Sequence, residues 1–538
     1  MQLVLVAIHI EPSTRALPLG PAMLASMLRS TLGEAIQTRV VDAFVAESAE
    51  TCAARILASE PDLVGFSMYV WNRSQTLAIA ARLKAAKPGI IIFAGGAEAT
   101  ADAVGVLADP AMDFVLPGEG EDLIVAAMQR LLRGATPQEI AAWAKPSPVR
   151  DLAVLPSPYL DGTLRPEDYG GALWELSRGC PFTCDFCYEA RGPAGTRRIP
   201  LARAAAELDL FEARGIREVF VLDPTFNYHK GQAKEVLRLI AAKAPGIHFF
   251  FEARSEFLDQ EMAELFAGIR CTLQIGLQSA HDEVLRNISR TFDPEDFEAK
   301  ILLLHQAGVP YGFDLIYGLP GDSLDGFRQS VDFALSLVPN HLDIFRLSVL
   351  PGTRLAETAP GLGLRHEAQN PYAVLASPTF SPQDLAQAAR IALGCDSLYN
   401  RGQAVPWFGM LLAPLELPPS AAFEAFAAWQ EERPGGDPIE TRQAFFRSLF
   451  EARGDGLLGA LAADILACFG HSAALLEGPE EDGTAPAHRI AFQHEPLALM
   501  AQIEAGATDL EELIFSVPAQ ACEAEFRLED GELTIRVL

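Results

Sequence analysis

The chain has 538 residues, and its 42 Lys and Arg against 71 Asp and Glu give a formal net charge of −29. Hydrophobic residues make up 49% and charged residues 21%, which excludes a mainly disordered chain. The acidic balance disfavours binding to nucleic acid or to anionic lipid, because both are polyanions. Eight cysteines are too few for a disulfide scaffold of this length and favour a reducing, cytoplasmic location.

Residues 1–145 alternate apolar runs with amphipathic stretches. The runs predict five strands, at 3–9, 38–44, 62–69, 89–96 and 113–121. Such a series is typical of a doubly wound parallel sheet with helices on both faces, whose ligands bind beyond the carboxyl ends of the strands. The apolar N-terminus lacks a basic leader, and no stretch of about 18 uncharged apolar residues predicts a membrane span.

The remainder of the chain follows a different plan. A Pro- and Gly-rich linker is predicted at 146–171, and a second strand–helix series at 172–365. Its six strands favour a partial (β/α)₆ barrel over a closed eight-fold one. Residues 366–538 are predicted to form a mainly helical domain that ends in a β-hairpin around Asp530 and Gly531.

The segment 177–192, SRGCPFTCDFCYEARG, places Cys180, Cys184 and Cys187 in the spacing C-x3-C-x2-C. Three thiolates on one tight loop predict a [4Fe-4S] cluster with its fourth iron open to another ligand. Zinc is the alternative, but it would need a fourth ligand from His229 or a distant cysteine. The other five cysteines have no ligand spacing and are predicted to be buried apolar residues: Cys52, Cys271, Cys395, Cys468 and Cys522.

This cysteine segment resembles the radical S-adenosylmethionine (SAM) superfamily, over roughly residues 170–360. The resemblance implies that SAM chelates the open iron and is cleaved by one electron to a 5′-deoxyadenosyl radical. Looser matches lie at the later strand ends, in DPTFN, FEAR, GLQS, GLPGD and VLPGT. The SAM contacts implied by the resemblance are Phe186, Glu252, Arg254, Gln278, Ser279 and Leu350. Relatives often carry a glutamate at the position of Gln278, so this contact is uncharged here.

Residues 1–135 resemble the cobalamin (B12) binding domain that precedes the barrel in many members of that superfamily. The matching segments are FSMYVWN (66–72), FAGGAEAT (93–100) and LPGEGE (116–121). They imply cobalamin contacts from Ser67, Tyr69, Trp71, Asn72, Arg73, Gly95, Gly96, Ala97, Glu98, Gly118 and Glu119. Many B12 proteins carry D-x-H-x-x-G after the first strand, whereas this chain has HIEPSTRALPLG. The cobalt is therefore expected to lack a histidine ligand from this loop, and His9 is predicted to lie in the core.

The two resemblances together imply a cobalamin-dependent radical SAM enzyme. Methyl transfer from SAM through methylcobalamin to a carbon of a small molecule or peptide is the leading interpretation, with electrons from a reductase, ferredoxin or flavodoxin. The candidate substrate-side groups at strand ends are Asp223, Tyr228, His229, Asp314, Tyr317 and Arg346.

Other interpretations stay open at this point. The same cofactors serve cyclases, ring-contracting enzymes and oxidases, and the N-terminal sheet could brace the barrel without binding cobalamin. An iron–sulfur electron-transfer or scaffold protein is the alternative from another class. No nucleic acid or membrane partner is expected, and the sequence does not identify the substrate.

Overall fold

A computed structural model of the chain describes residues 1–192, 195–477, 487–529 and 532–538. The chain divides into two compact units. The first unit comprises residues 1–276, 285–310 and 347–378, and the second comprises 277–284, 311–346 and 379–538. This division does not follow the boundaries predicted at residues 145, 171 and 365, which stay predictions.

The first unit begins with a five-stranded parallel sheet in the order β2-β1-β3-β4-β5. Its strands are β1 (Gln2–His9), β2 (Gln37–Phe44), β3 (Leu63–Ser67), β4 (Ile91–Gly95) and β5 (Phe114–Val115). The helices are α1 (Leu19–Leu32), α2 (Ala49–Leu57), α3 (Arg73–Ala86), α4 (Ala97–Ala101), α5 (Ala103–Leu107), α6 (Gly120–Leu132) and α7 (Pro137–Trp143). Alternate residues of β1 enter separate apolar clusters on the two faces, which explains its continuous apolar sequence. The predicted doubly wound sheet is confirmed.

The six strands predicted for the second series are all present. Residues 171–346 contain β6 (Gly171–Trp174), β7 (Ser177–Arg178), β8 (Arg197–Arg198), β9 (Glu218–Val221), β10 (His248–Ala253), β11 (Cys271–Gln278), β12 (Tyr311–Tyr317) and β13 (His341–Arg346). The helices are α8 (Leu201–Ala213), α9 (Lys230–Lys243), α10 (Gln260–Ala267), α11 (Asp282–Arg286), α12 (Pro294–Ala307) and α13 (Leu324–Ser336). In the first unit β6, β9, β10 and β11 pair in parallel, and in the second unit β12 and β13 do so. The short β7 and β8 form an antiparallel ladder on either side of the cysteine loop.

Helices predominate after residue 353. They are α14 (Arg354–Thr358), α15 (Pro382–Gly394), α16 (Phe408–Leu412), α17 (Pro419–Glu432), α18 (Pro438–Ala452), α19 (Gly456–Glu477), α20 (Pro496–Glu504) and α21 (Leu510–Ser516). The strands are β14 (Arg365–His366), β15 (Val374–Ala376), β16 (Ala487–Phe492), β17 (Cys522–Glu529) and β18 (Glu532–Val537). The predicted hairpin corresponds to the antiparallel pair β17 and β18, to which β16 adds a third strand. The predicted turn residues 530 and 531 lie outside the described residues.

The helix α19 is the longest apolar helix of the second unit. Over Gly456–Leu476 it has the length and composition of a membrane span, although 56% of that segment is buried in the protein. Within that segment the carboxylate of Asp464 lies 2.8 Å from His494 Nδ1 and accepts the backbone N–H groups of Gln493 and His494. A buried and fully paired charge of this kind is typical of a core helix.

Four of the five cysteines outside the loop are buried as predicted: Cys52, Cys271, Cys395 and Cys468. Cys522 is only half-buried, which corrects the prediction for this residue. It is the first residue of β17, so its side chain lies at an end of the three-stranded sheet.

Gly96 closes the turn after β4 with φ 95° and ψ 177°, a conformation open essentially to glycine alone. A Cβ at this position would lie 2.7 Å from the carbonyl oxygen of Met68. We expect Gly96→Ala to lower the free energy of unfolding by about 1–3 kcal/mol and the thermal midpoint by a few degrees. Gly89→Ala is the matched control, because a Cβ there has no heavy atom within 4 Å. Equal thermal midpoints for the two variants would contradict this account.

Candidate functional site

An open cleft of about 530 Å³ lies in the first unit beyond the carboxyl ends of β1, β3 and β4. Leu5, Gly65 and Phe93 of these strands line it, and Glu175 and Arg178 line it from the segment around β6 and β7. Gly65 is required there because a Cβ would lie 2.3 Å from the ring of Phe93. The volume is that of a ligand pocket, and the position is where doubly wound sheets bind ligands.

Most residues predicted to contact cobalamin line this cleft. These are Ser67, Tyr69, Trp71, Gly95, Gly96, Gly118 and Glu119. The rings of Tyr69 and Trp71 are stacked, with centroids 4.5 Å apart and planes within 2°, and Trp71 remains 45% exposed. A stacked aromatic pair with an exposed indole is suited to lie against a flat ligand.

The other predicted contacts do not line the cleft: Asn72, Arg73, Ala97 and Glu98. Asn72 is fully buried, and its amide donates to the carbonyl of Ser67 at 3.0 Å. The guanidinium of Arg73 forms ion pairs with Glu98 at 2.7 Å and Asp102 at 2.8 Å. These polar groups hold the loops at the ends of β3 and β4, and direct contact with cobalamin stays a prediction for them.

His9 ends β1 and lines the cleft, which differs from the core position predicted for it. Its Nε2 lies 2.7 Å from Asp42 Oδ1, and the other oxygen of Asp42 accepts the hydroxyl of Tyr169 at 2.6 Å. Among the described residues that line the cleft, His9 is the single histidine. It is therefore the imidazole to test as a ligand for any metal bound here.

The cysteine loop lies in the first unit between β7 and β8. The N–H of Cys187 donates to the carbonyl of Cys184 at 3.1 Å, and the N–H of Asp185 donates to Ile288 at 3.0 Å. Cys184 is buried, while Cys180 and Cys187 are half-buried. Burial raises the pKa of Cys180, and it raises the pKa of Cys187 to about 11. Burial thus favours the neutral thiols, whereas binding of a metal favours the thiolates.

The donor set of the loop fits a polynuclear cluster better than a single ion. A structural zinc ion needs four ligands at one point, whereas each cysteine of a cubane cluster binds a different iron. His229, considered as a fourth zinc ligand, has its Nε2 2.5 Å from the hydroxyl of Thr196.

Two arginines flank the cysteine loop. The guanidinium of Arg254 lies 3.8 Å from the ring centroid of Phe182 and is paired with Glu256 at 2.5 Å. Arg290 donates to the carbonyl of Gly276 at 2.8 Å, and the neighbouring Cys184 acts to raise the pKa of Arg290. Burial, and then the neighbouring Arg254, lower the pKa of Arg290, whose Nε is buried without a partner. Sequence analysis missed Arg290, because no periodic or motif signal marks it and only the tertiary fold brings it to the loop.

The predicted SAM contacts fall in both units. Phe186, Glu252, Arg254 and Leu350 belong to the first unit, where all four are partly buried. In the second unit Gln278 has a left-handed backbone with φ 62°, and its Oε1 is buried without a partner. Its neighbour Ser279 is buried and accepts the N–H of His281 at 3.2 Å. A strained residue with an unpaired amide oxygen is a mark of a ligand site, and contact with SAM stays a prediction for all six.

Three substrate-side candidates, Asp223, Tyr228 and His229, surround a pocket beside the cysteine loop with room for about one water molecule. Asp223 accepts the N–H groups of Leu176 and Ser177, both at 2.9 Å, and the Ser177 hydroxyl at 2.7 Å. Both carboxylate oxygens of Asp223 thus hold residues 176–177, which lead into the cysteine loop.

The other three candidates, Asp314, Tyr317 and Arg346, lie in the second unit on β12 and β13. Tyr317 stands opposite Arg346 in the strand register. A role toward substrate stays a prediction for all six candidates.

Two family models match the chain. The B12 binding domain model matches residues 6–128, and the Radical SAM superfamily model matches residues 174–334. Among curated proteins, the 2-(S-pantetheinyl)-carbapenam-3-carboxylate methyltransferase of Streptantibioticus cattleyicolor is 25% identical over 404 residues, covering 69% of this chain and 58% of that protein. The cobalamin-dependent radical SAM methyltransferase TokK of Streptomyces tokunonensis is 26% identical over 350 residues, covering 58% and 51%. The matches thus span little more than half the length of these two relatives.

A solved structure has a similar fold. The radical S-adenosylmethionine methyltransferase TsrM of Kitasatospora setae, with cobalamin and a [4Fe-4S] cluster bound, superposes with a TM-score of 0.57 at 17% identity. The superposition covers 84% of this chain and 99% of that one. At this level of identity the likeness shows the fold.

Burial raises the pKa of Asp223 from its ordinary value of 3.8 to about 6, against the opposing effect of its hydrogen bonds. The folded chain then holds this proton more tightly than the unfolded chain, so the stabilisation is present below about pH 4 and lost as the pH rises through about 6. We expect this group to cost about 2 kcal/mol of stability between pH 4 and pH 7.

Asp223→Asn, which is neutral and similar in shape, should remove that part of the pH dependence of the thermal midpoint. Asp209→Asn is the control, because its side chain is 60% exposed. An unchanged pH profile in Asp223→Asn would refute the assignment.

Proposed function

We propose that this chain, which belongs to the radical SAM enzymes that carry a B12-binding domain, moves a methyl group from SAM by way of cobalamin to a carbon atom of a small molecule or peptide. The observation that carries the proposal is the short path between the two sites. Arg178 lines the cleft and stands two residues before Cys180, the first cysteine of the loop. The relatives named above are methyltransferases, which supports this reaction over other uses of the same cofactors.

The cysteine loop would hold the [4Fe-4S] cluster through Cys180, Cys184 and Cys187, and SAM would occupy the open iron. When bound, the cluster and SAM supply one-electron chemistry at an unactivated carbon, and cobalamin supplies a carrier for the methyl group. Arg290, near Cys184, would place a positive charge next to the anionic cluster. Contact with SAM remains a proposal for the six residues predicted from the sequence: Phe186, Glu252, Arg254, Gln278, Ser279 and Leu350.

The cleft would hold cobalamin through the residues of its walls. Glycine turns at Gly95, Gly96 and Gly118 let a ligand reach the backbone, and the stacked rings of Tyr69 and Trp71 offer it a flat face. Glu119, which also lines the cleft, is held by an ion pair with Arg197 at 2.5 Å.

We also propose the setting of the enzyme in the cell. A reductase, ferredoxin or flavodoxin would supply the electrons. We place the enzyme in the cytoplasm, because this reducing compartment keeps cysteine thiols reduced and available to bind a cluster. The net charge of −29 disfavours a nucleic-acid or membrane partner. A substrate of low molecular weight is favoured on the same ground.

We expect the cluster to depend on the three loop cysteines. Replacing Cys180, Cys184 and Cys187 with Ala should remove most of the iron, about four atoms per chain, and abolish reductive cleavage of SAM. Cys522→Ala, a half-buried cysteine of the second unit, is the control and should retain its iron. The iron content per chain is measured in each protein after anaerobic reconstitution. A triple variant that retains the wild-type iron content would contradict the assignment of the three cysteines as cluster ligands.

We expect the cobalt to lack a histidine ligand from this chain, because the segment after β1 lacks the D-x-H-x-x-G motif. Electron paramagnetic resonance of the cobalt(II) state should show no superhyperfine splitting from an axial nitrogen. If splitting appears in the wild type and disappears in His9→Ala, His9 is the ligand and the expectation is wrong. Tyr169→Phe, which removes a partner of Asp42, controls for indirect effects on the same contacts.

Methyl transfer itself is tested with SAM labelled in its methyl group, a low-potential reductant and added cobalamin. We expect label to be recovered with the corrin fraction even before a substrate is identified. Accumulation of deoxyadenosine without any label on the corrin would show that cobalamin serves a radical reaction of another kind, such as ring formation or oxidation. The triple cysteine variant and unlabelled SAM serve as controls.

A further inference from the structure

The loop between β1 and α1, residues 10–18, contacts the first strands of the second series. Its Thr14 hydroxyl donates to Glu218 Oε2 at 2.7 Å. A Cβ on Gly171 would lie 2.4 Å from the carbonyl oxygen of Thr14, so a larger residue there would force the backbone to move. Gly171 begins β6, Glu218 begins β9, and the two are opposite each other in the strand register. Thr14 therefore contacts both strands at one point of their pairing.

The next residue of this loop, Arg15, packs on aromatic rings of the same sheet. Its guanidinium carbon lies 4.0 Å from the ring centroid of Phe220 on β9 and 4.6 Å from that of Phe250 on β10. The two rings are stacked, with centroids 5.1 Å apart, and are neighbours in the strand register. A guanidinium over an aromatic face is attracted by the quadrupole of the ring. Arg15 also lines the cleft, so this one side chain belongs to the cleft wall and contacts β9 and β10.

We propose that residues 10–18 form a clamp that fixes the cleft relative to the cysteine loop, with Arg15 as its positioning residue. The clamp joins the end of β1 to β6 and β9, and β6 leads on to the cysteine loop, which begins at Cys180. All of these residues belong to the first unit. The segment that lacks D-x-H-x-x-G thus has a different use in this chain.

The inference rests on the proposed function and adds to it a device that sets the separation of the two cofactors. Transfer of a group between two bound molecules depends steeply on how their reacting atoms are placed. A chain without the clamp would still bind each cofactor, but the two would no longer be held at a fixed separation.

The first test measures the magnetic interaction between the two cofactors, in the full-length chain with its cluster reconstituted and hydroxocobalamin added. After partial reduction, cobalt(II) and the cluster are both paramagnetic, and a nearby cluster spin speeds the relaxation of the cobalt(II) spin. In the wild type we expect the reduced cluster to raise the microwave power that half-saturates the cobalt(II) signal. Arg15→Met should lose most of this rise, whereas Arg15→Lys, which keeps a cation on the rings, should retain most of it.

The second test follows the labelled methyl group from SAM to the corrin fraction, with a low-potential reductant and with S-adenosylhomocysteine released in equal amount. Arg15→Met should slow this transfer about ten- to hundredfold, since a displacement of about 1 Å between reacting groups has an effect of that size. Reductive cleavage of SAM to deoxyadenosine should continue at the wild-type rate, because the cluster and SAM suffice for it. The dissociation constant of hydroxocobalamin should change by less than about fivefold, the range of one exposed cation–π contact.

Two further variants separate the clamp from a direct contact between Arg15 and the ligand. Thr14→Val removes the hydrogen bond to Glu218 at nearly the same volume and lies outside the described lining of the cleft, so it should act in the same direction as Arg15→Met. Arg39→Met is the matched control, because it removes an exposed guanidinium of the same sheet that donates to Ser59. Thermal midpoints confirm that each variant is folded.

The outcomes are distinct. A wild type without the relaxation effect, wild-type behaviour in Arg15→Met, or an effect that Thr14→Val does not share would overturn the clamp and leave the proposed function intact. If the relaxation effect is present in the wild type and lost in both variants while no label reaches the corrin, the clamp is supported and methyl transfer is not. A wild-type chain that takes up iron but binds no hydroxocobalamin contradicts both.

Discussion

The ion pairs of Arg178 join two segments of the first unit that face the same cleft. Its guanidinium lies 2.6 Å from Glu121 at the start of α6, and 2.8 Å from Glu175 between β6 and β7. The side chain is only 12% exposed, and burial raises the pKa of Glu175. A buried charge is costly unless it is paired. The two segments of the cleft wall can therefore move little without separating these ion pairs at a cost in stability. Because Cys180 comes two residues later, the same ion pairs fix where the cysteine loop begins.

Much of the fold could be predicted from the sequence, because it depends on periodicity that is local. The apolar strand β1, the glycines at 95 and 96 and the three-cysteine loop each carry their signal within a few residues. Parallel strands place their carboxyl ends at one edge, so seven cobalamin candidates were correctly expected to lie near one another. The half-buried Cys522 and the extra strand β16 were not anticipated, since both depend on how the last sheet is completed.

The side-chain roles were harder to predict, since they depend on partners distant in sequence. Arg73 was expected at a ligand, but Glu98 and Asp102 engage it in ion pairs. Asp223 was expected to face substrate, yet its oxygens are occupied by Leu176 and Ser177. In each case the residue type and its strand-end position were informative, while the partners of the side chain within the protein depend on residues distant in sequence.

The exposed ring of Trp71 gives the cleft an intrinsic optical reporter. Corrins absorb in the near ultraviolet where indole emits, so a corrin within the cleft would quench Trp71 by energy transfer. Trp174 and Trp407 are fully buried, while Trp143 and Trp429 are partly buried, so comparison with Trp71→Phe isolates the emission of the 45% exposed indole. Occupancy of the cleft can thus be followed by fluorescence, without a label and without waiting for a substrate to be identified.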